Sequence, residues 1–467
     1  MRDLWNPGAG RRRAAAVLVA ALAPLALGAC ASYVAQTRDV RPLLARADYA
    51  GALKTIEKTD SRGSRLLYLY QRGLVLHYSG DPRASNEALE QADQLYEDLY
   101  TRSLSREIAA LTVTDNLLEY RGERYEAALV HYYKALNYLA LGSPEEAVVE
   151  CRRLNHRMQV FRDAGGSFYR DDPFLQYLTG MIFAANGEHV EADVSLRQAL
   201  ESFRAAGAER GIEAPHALLC DLAENSEALG NAEDARLYRE QCPCPPRPAA
   251  GTGRLNLFLE CGYVPARTEQ ELVLPIYKDE AREGLDEDGF CRAIVARRGR
   301  PREAHRELDY LLKIAVPALE ALPPRYLAAQ VRPVGADTTI PSAPAATVED
   351  LAVLARHALE DRQAEIALRA VSRGVTKYLA TREARKKGDQ AAGWLVNFAG
   401  AMTEVADTRC WSALPERIMV SRLDLPAGLY DLEIALVGPS GERTGTVRLP
   451  GVEVIAGETR FLSHRVY

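Results

Sequence analysis

One spacing recurs along the first half of the chain and constrains its fold more than any other feature. A small residue precedes a turn glycine by seven positions, and a second small residue follows that glycine by five. Small residues there let two antiparallel helices approach closely, and glycine accepts the left-handed backbone that ends a helix. The pattern therefore predicts stacked helix pairs, none of which can bury its apolar face alone. Three stretches have this spacing: Gly73, Gly80 and Ser85; Ala135, Gly142 and Ala147; Gly180, Gly187 and Ala192.

This spacing resembles the tetratricopeptide (TPR) pattern, in which each unit contains two antiparallel helices. The turn glycines at 80, 142, 187 and 230 are unevenly separated. We therefore expect a degenerate TPR-like array over residues 46–240, with an extra helix over 105–120.

A proline-rich linker over 241–253 ends the helical spacing. Beyond it, alternating apolar residues predict strands at 254–259 and 271–277, whereas helical spacing predicts helices over 303–322 and 348–386. We divide this half into a mixed strand and long-helix region, 254–413, and a small antiparallel β domain, 414–467. Its strand-like runs are 418–420, 430–436, 444–449 and 452–455. The predicted fold class is mainly α: a TPR-like array, a mixed α/β region and a small antiparallel β unit.

The first thirty residues have the layout of a bacterial secretory signal. Three arginines, Arg11 to Arg13, precede an apolar run from Ala14 to Leu27. Leu27-Gly28-Ala29-Cys30 then resembles a lipobox, the site at which a signal peptidase cuts and the cysteine receives lipid. An ordinary signal peptide cut between 21 and 31 is the alternative. The lipobox makes 1–29 the signal peptide and 30–45 the lipidated Cys30 and a tether. Since no Asp follows Cys30, we expect an outer-membrane anchor facing the periplasm, with exposure at the cell surface left open.

Charge and cysteine content narrow the function classes. The net charge of −6 disfavours nucleic acid, which binds basic patches. Cys242 and Cys244 lack the spacing of a zinc site, so we expect neither metal nor cofactor. Cys151 and Cys220 lie among apolar helical residues and fit small core positions. The disulfide connectivity and the oligomeric state stay open.

Tyrosines and charged residues concentrate on one predicted helix pair of the array. TPR-like arrays bind peptides along the groove lined by their first helices, and Tyr and Arg are frequent binding hot spots. This groove is our candidate partner-binding site, although many of its tyrosines also suit repeat packing. Its residues are Tyr125, Glu126, His131, Tyr132, Lys134, Asn137, Tyr138, Arg152 and Arg153.

A second cluster consists of Asp407, Arg409, Cys410 and Trp411. In a functional interpretation, Asp407 and Arg409 bind a ligand and Cys410 is a nucleophile. In a structural one, Asp407 pairs with Arg409, and Trp411 wedges a helix against the β unit. The basic run over 369–387 similarly fits either a ligand surface or a solvated helix face.

Four stretches together resemble a family of uncharacterised Gram-negative lipoproteins with a TPR-like region and a conserved C-terminal half. They are residues 120–126, 135–139, 406–411 with Leu414-Pro415, and 425–428. The resemblance implies this fold and an outer-membrane location, together with an association with lipoproteins that activate peptidoglycan synthases. The family has Ser where Cys410 stands, which argues against a general nucleophile there.

These features favour a non-enzymatic, outer-membrane-anchored periplasmic scaffold that binds envelope proteins through the TPR-like groove. Peptidoglycan synthesis and outer-membrane assembly are the processes we expect. The alternative is an enzyme or ligand-binding protein whose C-terminal half acts on a cell-wall or surface polymer.

Overall fold

The computed structural model describes residues 33–106, 119–165, 167–241, 251–277, 308–320, 323–334, 342–386 and 405–467. The first part is helical, and its helices are α1 (Tyr33–Thr37), α2 (Val40–Ala45), α3 (Tyr49–Glu57), α4 (Arg65–Tyr78), α5 (Pro82–Arg106), α6 (Arg124–Ala140), α7 (Pro144–Ala164), α8 (Pro173–Ala185), α9 (His189–Arg210), α10 (His216–Ala228) and α11 (Ala232–Gln241). The second part contains β1 (Thr252–Cys261), β2 (Arg267–Tyr277), β3 (Leu308–Leu319), β4 (Ala328–Val334), β5 (Ala343–Asp350), α12 (Leu351–Lys386), β6 (Arg417–Pro426), β7 (Gly428–Val437), β8 (Arg443–Val454) and β9 (Thr459–Val466).

The predicted helix pairs are present as α4–α5, α6–α7, α8–α9 and α10–α11. Each pair turns at a glycine with positive φ, from 68° at Gly142 to 81° at Gly80. The small residue seven positions earlier is required by packing. A Cβ built on Gly73 would lie 2.5 Å from the Leu89 side chain, and one on Gly180 would lie 2.6 Å from Leu196. The region is therefore a TPR-like array on its own geometry.

Seven strands form one sheet in the order β8-β7-β4-β5-β6-β1-β9. The β1–β9 pair is parallel, and the other neighbouring pairs are antiparallel. The sheet packs with one face against the helices. Strand β1 shows this, because its successive side chains point to opposite faces of the sheet. Leu255, Leu257 and Leu259 enter the core of the sheet, whereas Phe258 belongs to the helical core.

The structure corrects several predictions for the C-terminal half. The nearly closed sheet combines strands from both predicted C-terminal regions, so the unit is neither small nor bounded at 414, and it is not wholly antiparallel. Residues 308–319, which were predicted helical, form β3, paired with β2 in a separate two-stranded ribbon. A short apolar run suits either element, and pairing with β2 decides between them. Strands β4, β5 and β9 were not predicted at all. The long helix α12 begins three residues after its predicted start.

The predicted tether over 30–45 is also wrong from residue 33 onward. Val40 and Leu44 are fully buried, and Arg41 donates hydrogen bonds to the carbonyl oxygens of Val264 and Ser412 at 2.6 and 2.9 Å. The segment therefore packs on the β half as two short helices. Cys220 is disulfide-bonded, whereas Cys151 is a buried free thiol.

Three predictions concern residues outside the described ranges: lipidated Cys30, most of the extra helix over 105–120, and most of the linker. Among the helices within the described ranges, none combines the length and apolarity needed to cross a bilayer.

Candidate functional site

The predicted partner groove lies on α6 and α7, and most of it is buried. Tyr138 and Arg153 are half-buried and Arg152 is exposed. The remaining six predicted side chains are at most 3% exposed: Tyr125, Glu126, His131, Tyr132, Lys134 and Asn137. A partner approaching this groove would therefore meet few of the predicted residues.

The chain's own β half covers this groove. We call the side of α4, α6, α8 and α10 that contacts the sheet the inner face. At its centre, fully buried Glu260 of β1 accepts hydrogen bonds from the Tyr132 and Tyr133 hydroxyls at 2.9 and 3.1 Å, and from that of Tyr78. Burial raises the pKa of Tyr132 and Tyr133 well above their ordinary value, so both hydroxyls stay protonated and donate. The arrangement is a buried carboxylate held by three donors.

Ion pairs fix the inner face to the sheet at α10. Arg254 of β1 lies 2.8 Å from Glu224, and Arg422 of β6 lies 2.6 Å from both Asp221 and Glu224. Burial alone would raise the pKa of Glu224, but hydrogen bonds from the two arginines hold it below its ordinary value. Glu224 therefore stays ionised between the two guanidinium groups.

At the other end, the structure brings the two predicted clusters together. Glu123 and Glu126 form a capping box that starts α6. Glu126 also accepts hydrogen bonds from the backbone N–H of Trp411 at 2.9 Å and the Tyr120 hydroxyl at 2.7 Å. Trp411 is fully buried and stacks on Tyr70, with ring centroids 4.6 Å apart. Trp411 thus packs into the inner face, against α4.

The rest of the second cluster is also held within the chain. Asp407 accepts two hydrogen bonds of 2.8 Å from the Arg409 guanidinium, which also donates to the Gly63 carbonyl at 2.6 Å. Cys410 is a buried free thiol, and burial raises its pKa. A thiol that stays protonated is a poor nucleophile. These contacts favour the structural interpretation of the cluster.

Three of the predicted groove residues bond to a charged network behind the inner face, and Asn137 bonds to neutral polar side chains beside it. His131 Nδ1 lies 2.8 Å from Glu150 Oε2, and Lys134 Nζ lies 2.8 Å from Glu150 Oε1. Arg153 reaches Glu150 and Asp93, while Asn137 donates to Ser85 and Asn86. Within the part of the chain that the structure describes, no group of His, Cys, Asp or Glu side chains is arranged to hold a metal ion.

An open cleft of about 420 Å³ lies beside the covered inner face, between the array and α12. Most of its lining residues are tyrosines or charged residues. The full lining is Tyr96, Tyr100, Arg121, Gly122, Glu123, Arg124, Tyr125, Ser167, Tyr169, Ala358, Asp361, Arg362 and Glu365. Helix α12 is held against the array next to it. Asp361 accepts from the Ser167 hydroxyl and the Phe168 N–H at 2.7 Å each, and His357 stacks on Phe168 at 3.7 Å.

Sequence reasoning identified Tyr125 in this cleft but missed its α12 wall. Arg362 and Glu365, which line the cleft, are three residues apart, so they lie on the same face of a helix. That spacing was available in the sequence. The array residues that contact this face could not be identified from the sequence, because they come from distant segments.

No protein-family model matches this sequence, and no curated protein matches it. Several solved structures of helical repeat proteins are similar over part of the chain. MamA is 13% identical, with 45% of this chain and 93% of MamA covered, at a TM-score of 0.28. A putative kinesin light chain from Podosopora anserina with nearly identical TPR-like repeats is 18% identical. The match covers 44% of this chain and 90% of that protein, at a TM-score of 0.29. BtubC from P. vanneervenii is 14% identical, with 52% of this chain and 94% of BtubC covered, at a TM-score of 0.32. These values are too low to carry an argument about function.

Proposed function

We propose that this chain is a non-enzymatic, outer-membrane-anchored periplasmic scaffold that binds a segment of an envelope protein in the cleft beside α12. The observation that carries the proposal is the contrast between the two tyrosine-rich surfaces. The inner face is covered by strand β1 of the same chain, whereas the cleft is open. A partner segment therefore has room in the cleft and not at Glu260.

The chemistry of the cleft supports protein binding. Tyrosine and arginine combine large contact area with directional donors, which is why they dominate binding hot spots. Tyr100, Arg121 and Arg362 line the cleft and are partly exposed, whereas its other tyrosines, Tyr96, Tyr125 and Tyr169, are at most 5% exposed. The volume of about 420 Å³ lies within the range of specific ligand sites and suits a few side chains of an extended peptide.

The lipid anchor belongs to the proposal through Cys30. Three residue steps separate Cys30 from Tyr33 at the start of α1, and three extended steps span at most about 11 Å. The anchor would therefore hold the packed body close to the membrane surface. The disulfide at Cys220 supports an oxidising compartment such as the periplasm. Peptidoglycan synthesis or outer-membrane assembly is the process we propose, on the family resemblance.

The proposal predicts a position-dependent crosslink in intact cells. A photoreactive amino acid replaces Glu365, whose side chain is half exposed on α12. The matched control replaces Val194, which is 66% exposed on α9, away from the cleft. Adducts are purified through a C-terminal tag and identified by mass spectrometry. We expect an envelope protein at position 365 and not at 194. Equal recovery from both positions, or only uncrosslinked protein from 365, would contradict the proposal.

A third position separates the cleft from the groove predicted from sequence. Arg152 is exposed at the edge of that groove. An adduct at position 152 without one at 365 would move the partner site to the array.

A further inference from the structure

A small arginine-lined pocket lies at one end of the cleft, between α12 and the 405–411 segment. Its volume is about 50 Å³, which suits one small chemical group. It shares Arg121 and Arg362 with the cleft, so the two spaces are neighbours. Five of its lining residues are arginines: Arg121, Arg267, Arg362, Arg369 and Arg409.

The charge of this pocket contrasts with that of the chain. Only two carboxylates, Glu119 and Asp407, line it among the described residues, whereas the whole chain has a net charge of −6. Two other carboxylates reach its arginines. Glu123 lies 2.5 Å from Arg267 and 3.2 Å from Arg362, and Glu365 pairs with Arg369. Guanidinium groups are therefore concentrated at this pocket, although the chain as a whole is acidic.

These internal pairs still leave room for a ligand, because each guanidinium group has five N–H donors. Arg362 donates to Glu123 through Nη1, and its side chain is 39% exposed. Arginine forks match the two oxygens of a carboxylate, which makes such contacts both strong and specific.

Two of the arginines are already ordered. Arg409 is fixed by Asp407 and by the Gly63 carbonyl. Arg267 is fixed by Glu123 and by the Arg409 carbonyl, at 3.3 Å. A ligand therefore need not immobilise these side chains, and such preorganisation strengthens binding.

We propose that this pocket binds the carboxylate of an acidic residue in the partner segment, while neighbouring residues of that segment lie along Tyr100 and the charged side chains of the cleft. The inference rests on the proposed function and adds the chemistry of the partner: an extended acidic peptide. Phosphate would find the same guanidinium donors, so the test separates free phosphate from a peptide carboxylate.

The test uses the full-length protein in detergent and two labelled decapeptides of alternating Glu-Tyr and Gln-Tyr. Fluorescence anisotropy measures their dissociation constants. Since a charge-assisted hydrogen bond contributes about 1.5–3 kcal/mol, we expect the Glu peptide to bind roughly tenfold to hundredfold more tightly. Equal affinity, or no binding of either peptide, overturns the inference.

Single-residue variants locate the binding. We expect Arg362→Gln and Arg121→Gln each to weaken the Glu peptide at least tenfold, whereas Arg356→Gln, exposed on α12 outside the pocket, leaves it unchanged. Circular dichroism checks that each variant is folded. Two pocket variants keep the test decisive if one of them unfolds. Unchanged affinity in a folded pocket variant overturns the inference, as does inorganic phosphate binding that leaves peptide affinity unaffected.

The two proposals can fail separately. If the crosslink from position 365 persists in the Arg362→Gln variant, the cleft binds a partner without the pocket, so the pocket inference fails alone. If the wild-type chain gives no crosslink at 365, the proposed function fails first.

Discussion

The inner face and the cleft are built from similar residue types and differ in what those residues contact. On the inner face, Tyr132 and Tyr133 donate to Glu260 of the same chain. In the cleft, Tyr100 is half-buried and Arg362 is 39% exposed beside an open volume. The difference teaches that a tyrosine-rich helix face marks a binding surface without saying whether its partner is another protein or another part of the same chain.

The first prediction concerns Trp411, which packs into the inner face and is the largest fully buried side chain among the described residues. Trp411→Ala leaves a cavity against Tyr70 and removes their stacking, so we expect a loss of about 3–5 kcal/mol in the free energy of unfolding. Urea unfolding followed by circular dichroism measures it. A loss below about 1 kcal/mol would mean that the 405–411 segment does not pack there.

Replacing Glu260 tests the contact between the inner face and β1, because Glu260 accepts the tyrosine hydrogen bonds at its centre. Glu260→Leu leaves three buried tyrosine hydroxyls without their acceptor, at a cost of about 2–4 kcal/mol in the free energy of unfolding. Glu260→Gln keeps one carbonyl oxygen as acceptor and should cost less. Equal stability of wild type and the Leu variant in urea unfolding would place β1 away from the helices.

The charged network behind the inner face predicts a loss of stability in acid. Burial lowers the pKa of His131, although Glu150 partly offsets this. For Glu150, burial would raise the pKa, but His131 and Lys134 lower it to about 2. Both folded-state pKa values lie below the unfolded ones, so each group stabilises the fold at higher pH and loses that contribution as pH falls. The loss begins near pH 6.5 for His131 and near pH 4.5 for Glu150, and reaches about 1–3 kcal/mol.

Urea unfolding at several pH values measures this dependence, with His131→Gln as the control. That variant should lose the part between pH 6.5 and 5 and retain only a reduced part below pH 4.5, because Lys134 alone then lowers the pKa of Glu150. A wild-type stability that rises on acidification over this range would contradict the assignment.

At the border of the cleft, the expected effect is smaller. His357→Ala removes the ring stacked on Phe168, and such pairs contribute about 0.5–1.5 kcal/mol beyond area burial. We expect a stability loss of that size in thermal unfolding, well below that of Glu260→Leu. A larger loss than Glu260→Leu would reverse the comparison and make α12 the main support of the fold.

The smallest effect is expected at the exposed edge of the predicted groove. Arg152 pairs with Glu188 at 2.5 Å, but its side chain is 53% exposed, and surface pairs contribute about 0–1 kcal/mol. Arg152→Ala should therefore leave stability almost unchanged, and it should not weaken the crosslink from position 365. Loss of that crosslink would extend the partner surface onto α7.

Much of the array could be predicted from sequence because its signals are local. The spacing around Gly180 and Gly187 sets both the turn and the close helix contact within one short stretch. Strand β3 was missed because its apolar run carries no period that separates helix from strand, and its pairing with β2 lies outside the run.

The covering of the inner face could not be predicted in the same way. Tyr132 meets Glu260 across 128 positions, and Glu126 meets Trp411 across 285. Neither carboxylate shows in its local sequence that distant donors will surround it. The candidate residues were therefore found as separate clusters. They come into contact only when the C-terminal half folds against the array.

Hydroxyl-radical footprinting of the full-length protein in isolated membranes tests the covered inner face most directly. The method reports how readily each tyrosine ring meets solvent. We predict that Tyr132 and Tyr133, which are fully buried, are modified far more slowly than half-buried Tyr49 and Tyr138. Modification of all four at similar rates would contradict the account, because it would mean that the sheet does not cover the helices and that the inner face is open to a partner.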